Sequence, residues 1–265
     1  MPKTELIEFK NNAGDILRGI LTEGDISNSA VLLCAGFERN ATTEKKFKAL
    51  ADKLSEKNIA SLRFDYTGCG LSDGDFSNVT IKRMSEDAKR AIEFLKSKTQ
   101  SSAISMVGHS ISGCVAANLC KEIDFEKMIL IGPALNQKDL LRFWFAASAI
   151  KKQNPSVEIN WSNYKNYLDE KSFLADCART DRMTKTNFLS PEYFIENTDK
   201  DYSDSLRNAD NILLIHGDKD DKVPLESLGE EFASKVVVKG GDHDLERPDM
   251  FSQWENRAVE FLSEI

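Results

Sequence analysis

Apolar and polar positions follow two different rhythms along the chain. Glu5 to Lys10 and Ile16 to Leu21 read as extended segments, and the turn-rich stretch Asn11 to Asp15 between them predicts a hairpin. Beyond it, short unbroken apolar runs take over: Ala30 to Ala35, Ile59 to Phe64, Ala103 to Val107, Lys127 to Ile131, Asn211 to Ile215 and Lys235 to Val238. Runs without alternation suit strands covered on both faces, hence a parallel sheet. Between them, Phe47, Leu50 and Leu54 recur at helical spacing, as do Ile81, Met84, Ala88, Ile92 and Leu95, so each segment has one face to lay on the sheet. Pro248 followed by Phe251, Trp254, Ala258 and Phe261 predicts a closing helix. Strand alternating with helix is the pattern of a right-handed βαβ series. The expected fold class is α/β, with two hairpin strands and six further strands in one sheet.

One stretch breaks the rhythm. Asn136 to Asn208 holds 73 residues without a clear strand, yet carries 11 of the 23 aromatic residues. A structureless loop of that length is improbable in a compact domain, so a mostly helical insertion over the sheet is expected. Most of its rings should form a small core of their own, with a few roofing an apolar pocket. The expected organisation is a core of residues 1–135 and 209–265, split by a cap at 136–208.

Composition narrows the function. With 265 residues, 41% of them hydrophobic and 29% charged, the chain can build a sizeable core and is neither disordered nor fibrous. The apolar runs fall well short of the roughly 18 residues that a membrane helix needs. Thirty-five basic against 43 acidic residues give a net charge of −8, which disfavours nucleic acid and anionic lipid as partners. The opening residues Met1 to Glu5 lack an apolar core of secretory type, so a cytoplasmic location is expected. Five cysteines, Cys34, Cys69, Cys114, Cys120 and Cys177, form no CxxC pair and suggest buried thiols; no metal or cofactor is implied.

The candidate chemistry begins where the run ending at Val107 meets Gly108 His109 Ser110 Ile111 Ser112 Gly113 and then the small-residue helical stretch Cys114 to Leu119. Strand, tight turn and helix make a nucleophile elbow, which holds a serine in a strained conformation with its hydroxyl exposed. Ser110 is the candidate nucleophile. Ser112 stands where GxSxG ends in glycine and is small enough to fit. A serine hydroxyl needs a base held by a carboxylate. Of the three histidines, His109 adjoins the serine and should point away from its hydroxyl, and His216 ends an apolar run and should satisfy local backbone groups. His243 follows the run Lys235 to Val238, at the carboxyl edge of the sheet where ligands bind, and is the candidate base. The loop after the preceding strand offers Asp218, Asp220 and Asp221, of which the spacing favours Asp220. Nucleophile, acid and base then run in the chain order of the α/β-hydrolase fold. Backbone N–H groups of Ile111, at the helix start, and of Phe37, after Gly36, are the candidate oxyanion donors. Arg39, just beyond, could clamp a substrate carboxylate or simply be solvated.

These residues bring the chain close to a known family. It resembles bacterial α/β-hydrolases of the serine aminopeptidase and monoacylglycerol lipase type, and looks most like cinnamoyl or feruloyl esterases. The resemblance rests on Leu33 to Phe37, on Arg63 to Gly74, and on the elbow, acid and histidine loops. It implies the α/β-hydrolase fold, a mostly parallel eight-stranded sheet with helices on both faces and a helical cap insertion, and a structural loop at Asp65 to Gly74. Two departures stand out: Ala35 where the family usually has histidine, and Ser112 in place of glycine. Neither removes a catalytic group. The expected function is a serine hydrolase that cleaves carboxylic esters, apolar or aryl, through an acyl-enzyme. Acyl transfer, thioester or peptide cleavage by the same triad, and a ligand-binding protein with little turnover, are the alternatives.

Overall fold

The computed structural model describes residues 2–24, 29–184, 186–206, 209–229 and 232–264. Asn208, the expected end of the insertion, lies outside them, as do the terminal residues Met1 and Ile265 of the expected core.

All eight predicted strands form, each within two residues of its expected bounds: β1 (Thr4–Lys10), β2 (Ile16–Thr22), β3 (Ser29–Cys34), β4 (Ala60–Phe64), β5 (Ala103–His109), β6 (Met128–Ile131), β7 (Ile212–Gly217) and β8 (Ser234–Val238). They make one sheet in the order β1-β2-β4-β3-β5-β6-β7-β8. Both pairings of β2 are antiparallel, and every other neighbouring pair is parallel. Residues of β3, β4, β6 and β7 are buried throughout, which is why those runs read as continuously apolar.

Side chains along β3, β5, β6 and β7 alternate between two separate cores. Leu32, Leu62, Met106, Leu130 and Leu214 face one core together with Ile81, Met84, Ala88 and Ile92 of α2 (Ile81–Thr99) and Val115 and Ala116 of α3 (Ser112–Leu119). Leu33, Val107, Ile129, Leu213 and Ile215 face the other, with Phe47, Leu50 and Leu54 of α1 (Lys45–Glu56). Helices therefore cover both faces.

Between β6 and β7 the chain forms α4 (Gln137–Gln153), α5 (Glu170–Cys177) and α6 (Pro191–Asn197), with 3-10 turns between them. The extended pairing among its described residues is a single bridge, Met183 to Phe188. The end of the chain differs from expectation. Instead of one closing helix there are two, α7 (Pro248–Phe251) and α8 (Glu255–Ser263). The break serves Trp254, which is fully buried in the second core, stacks edge-on against Phe251 at 4.8 Å and donates its indole N–H to Leu245 O at 3.4 Å. The Gln253 amide meanwhile bonds Lys239 on both its N–H and its carbonyl, fixing the turn.

Candidate active site

The elbow forms where β5 gives way to α3. Ser110 adopts φ of 55°, left-handed backbone that a side chain resists. Its N–H donates to Ile131 O at 2.9 Å, and its carbonyl accepts the N–H groups of Gly113 and Ala134 at 3.0 and 3.1 Å, so β6 and α3 hold the strained residue from both sides. Glycine is required two residues earlier, because a Cβ at Gly108 would stand 2.8 Å from Ser112 O.

Ser110, His243 and Asp220 meet. The Ser110 hydroxyl donates to His243 Nε2 at 3.0 Å, and His243 Nδ1 donates to Asp220 Oδ2 at 2.7 Å. Asp220 follows β7 and His243 follows β8, so adjacent parallel strands deliver them to one edge. The other Asp220 oxygen accepts the N–H groups of Lys222 and Val223, each at 2.9 Å, which locks its carboxylate plane. The neighbouring candidates point elsewhere: Asp218 accepts Gly240 N–H at 2.6 Å, and Asp221 is exposed beside Lys222.

The other two histidines support the third. Burial holds His216 below its ordinary value, so it is neutral; its Nε2 donates to Val223 O at 2.8 Å and lies 3.5 Å from Asp220 Oδ2. His109 is held well below its ordinary value by burial, and further by the charge of Lys46. It donates from Nε2 to the His243 carbonyl at 3.0 Å, while Lys46 Nζ approaches its Nδ1 at 3.4 Å. Lys46 also donates to Asp244 O at 3.1 Å and pairs with Glu44 at 3.0 Å. Arg39 is committed to Glu44 and Asp244 at 3.0 and 2.7 Å, which leaves the clamp reading unsupported.

The candidate oxyanion donors, the backbone N–H groups of Phe37 and Ile111, are paired with no other described residue and border the same cavity as Ser110 and His243. That cavity encloses about 680 Å³. Its apolar wall is Phe37, Leu141, Trp144, Leu189, Tyr193 and Phe194. Three of the eleven insertion rings are thus in the wall; Phe143, Trp161 and Tyr164 pack on one another, and Phe145 packs on Phe173. Among the described residues no group of three or more His, Cys, Asp or Glu is placed to hold a metal, and no helix is long and apolar enough to cross a membrane.

Several residues around the site had not been singled out from sequence. Lys46 is 1% exposed beneath the histidine loop. The signal was its place four residues before Leu50, on the edge of the apolar face of α1. Trp144 donates its indole N–H to Lys222 O at 2.6 Å, bracing the acid loop from α4. Glu38, itself at φ 56°, accepts from Thr184, Thr186 and Asn187 at 2.5–2.6 Å, which ties the insertion to the oxyanion loop. No local pattern marks either contact.

Comparison with known proteins agrees with this architecture. The structure superposes on Est1E of Butyrivibrio proteoclasticus, solved with ferulic acid bound, with a TM-score of 0.71 at 18% identity, covering 97% of this chain and 98% of that one. For the esterase Pf2001 of Pyrococcus furiosus the TM-score is 0.67 at 18% identity, over 98% and 91% of the two chains. Among curated proteins, the thiohydrolase apmlB of Arthrinium phaeospermum is 31% identical over 119 residues, which is 44% of this chain and 38% of that protein. The family described as serine aminopeptidase, S33, matches residues 26–242. With that match spanning most of its length on an α/β-hydrolase sheet, the chain belongs to the serine aminopeptidase S33 family of hydrolases.

Proposed function

We propose that this hydrolase cleaves carboxylic esters with Ser110 as nucleophile, His243 as general base and acid, and Asp220 as the group that orients the imidazole. The observation that carries the reading is the unbroken relay Ser110–His243–Asp220, at 3.0 and 2.7 Å, on the wall of an apolar cavity. As Ser110 Oγ attacks the carbonyl carbon, its proton passes to His243 Nε2. The carbonyl oxygen becomes an oxyanion, met by the N–H groups of Phe37 and Ile111. Collapse expels the alcohol, which takes the proton from His243. Water then repeats the sequence on the acyl-enzyme. Asp220 stays ionised and compensates the imidazolium.

Residues 136–208 act as a cap over the core formed by 1–135 and 209–265, and Trp144, Tyr193 and Phe194 bring its rings to the acyl group. An apolar wall suits aryl or alkyl acyl chains, and the ferulic acid bound to Est1E supports an aryl preference. Thioesters are the second reading, favoured by the similarity to a thiohydrolase. A panel of aryl, alkyl and thio-esters, run with wild type and Ser110→Ala, tests both. Wild type should turn over apolar esters and react with a fluorophosphonate, and Ser110→Ala should lose about 10⁴-fold or more in turnover, together with the labelling. Undiminished labelling of the variant would sink the assignment.

A further inference from the structure

The two departures from the family pattern touch each other. Ser112 Oγ lies 2.5 Å from the carbonyl oxygen of Ala35, and both residues are fully buried. We infer that Ser112, backed by Tyr66, is a positioning residue for the oxyanion donors: its hydroxyl pins the Ala35 carbonyl and thereby aims the Phe37 N–H. The inference rests on the serine-hydrolase reading above.

Every proton in this contact has one place to go. A carbonyl only accepts, so Ser112 spends its single proton on Ala35 and must accept from Tyr66 OH, 2.9 Å away. Tyr66 is 1% exposed. The direction of the chain is fixed from Tyr66 through Ser112 to Ala35, in a place where the burial of all three residues excludes solvent.

What it fixes is a soft joint. Gly36 passes close to the elbow; a Cβ there would stand 3.1 Å from His109 Nδ1 and 3.3 Å from Ser110 Cβ. Glycine answers that crowding but leaves its own torsions free. The two peptides flanking Gly36 are held from outside instead: the Ala35 carbonyl by Ser112, and the Gly36 carbonyl by Arg39 N–H at 3.2 Å. Phe37 N–H belongs to the second of these peptides. The other donor, Ile111 N–H, immediately precedes Ser112, so one hydroxyl joins the elements that carry both donors.

The test compares wild type, Ser112→Ala, Tyr66→Phe and the double variant in kcat, KM, inhibition by an aryl trifluoromethyl ketone, and amide exchange at Arg39, whose N–H bonds the Gly36 carbonyl. The ketone adds Ser110 Oγ to its carbonyl carbon, passes the serine proton to His243 and leaves an oxyanion for the two N–H groups. Ser112→Ala should lower kcat on the order of tenfold to a hundredfold, a misaimed donor costing less than a deleted one. KM should stay within about threefold, and ketone affinity should fall with kcat. Exchange at Arg39 should quicken beyond any change in the sheet amides. The double variant should be no worse than Ser112→Ala, because both remove one chain. Unchanged exchange and kcat would overturn the inference, as would a kcat loss that leaves the ketone's affinity intact, or additive losses in the double variant. Should Ser112→Ala fail to fold, Tyr66→Phe keeps its ring and carries the same readouts. Should wild type resist the fluorophosphonate, the serine-hydrolase reading falls, and amide exchange alone decides whether Ser112 holds the loop.

Discussion

Of the five described non-glycine residues with left-handed backbone, Asn58 and Gln100 end helices, where that conformation is a routine stop signal. The other three are Glu38, Ser110 and Leu245, one in each of the oxyanion, nucleophile and histidine loops. Strain is concentrated where chemistry is proposed. Ser110→Gly should therefore be more stable than Ser110→Ala by on the order of 0.5–1 kcal/mol, because both lose the hydroxyl and only alanine keeps a Cβ at positive φ. Urea midpoints of the two variants measure this, and equal midpoints would mean the elbow is unstrained. The buried histidines give a pH signature. His109 and His216 are both held below 6.5 by burial, so below about pH 6.5 the unfolded chain binds protons that the folded chain refuses. Their contribution is whole above that pH and declines as pH falls, by up to about 1.4 kcal/mol per pH unit for each histidine. Burial raises Asp65 and Asp87, which works against this loss as pH falls through their raised values. Denaturation midpoints should drop between pH 7.5 and 5.5; a flat profile would mean that folding leaves proton uptake unchanged over that range.

At the scale of elements, the strands were legible and the contacts between their loops were not. Continuous apolar runs announce β3 to β8, and in β3, β4, β6 and β7 burial on both faces removes the polar alternation that would blur them, whereas the turn-rich Asn11 to Asp15 announces the β1–β2 hairpin. The strand, tight turn and helix around Gly108 mark the elbow, and loops following β7 and β8 mark Asp220 and His243 as candidates. Trp144 and Glu38 had no such marker, and neither did the partner of Lys46, since each acts far away in sequence: Lys46 on Asp244, Trp144 on Lys222, Glu38 on Thr184, Thr186 and Asn187. The break before α8 was hidden for the same reason. Apolar spacing runs through it undisturbed, and the contacts of Trp254 with Leu245 and of Gln253 with Lys239 require the turn. Trp144 allows a direct test of one such contact. Trp144→Phe keeps a ring in the pocket wall and deletes the indole donor to Lys222 O, next to the peptide N–H groups that hold Asp220. The expected result is a kcat lowered several-fold with a melting temperature within a few degrees of wild type, the loss of one hydrogen bond being worth about 1 kcal/mol. Unaltered kcat would show that the acid loop holds itself.

Across the whole molecule, the insertion between β6 and β7 is fastened to the very loops it overhangs. Glu38 grips Thr184, Thr186 and Asn187, Trp144 reaches the acid loop, and Ser190 N–H donates to Ser77 O at 2.9 Å. Glu38→Ala removes the acceptor shared by three donors, and should speed proteolysis after Arg182 while leaving the global melt nearly unchanged, because the loss of these bonds is local. Cleavage at the wild-type rate would mean the insertion is held there without Glu38. The sheet order adds a consequence of a different kind. The proposed nucleophile and both proposed oxyanion donors lie on chain before Asn136, whereas the proposed acid and base lie on chain after Asn208, and the sheets of the two halves join along the four residue pairs of β6 and β7. Neither half holds the complete proposed set of reacting groups. On the proposed mechanism, hydrolysis is a logical conjunction read out across that seam: every turnover reports that the late-synthesised strands have docked on the early ones, and a chain still emerging from the ribosome carries the proposed nucleophile with nothing yet to take its proton.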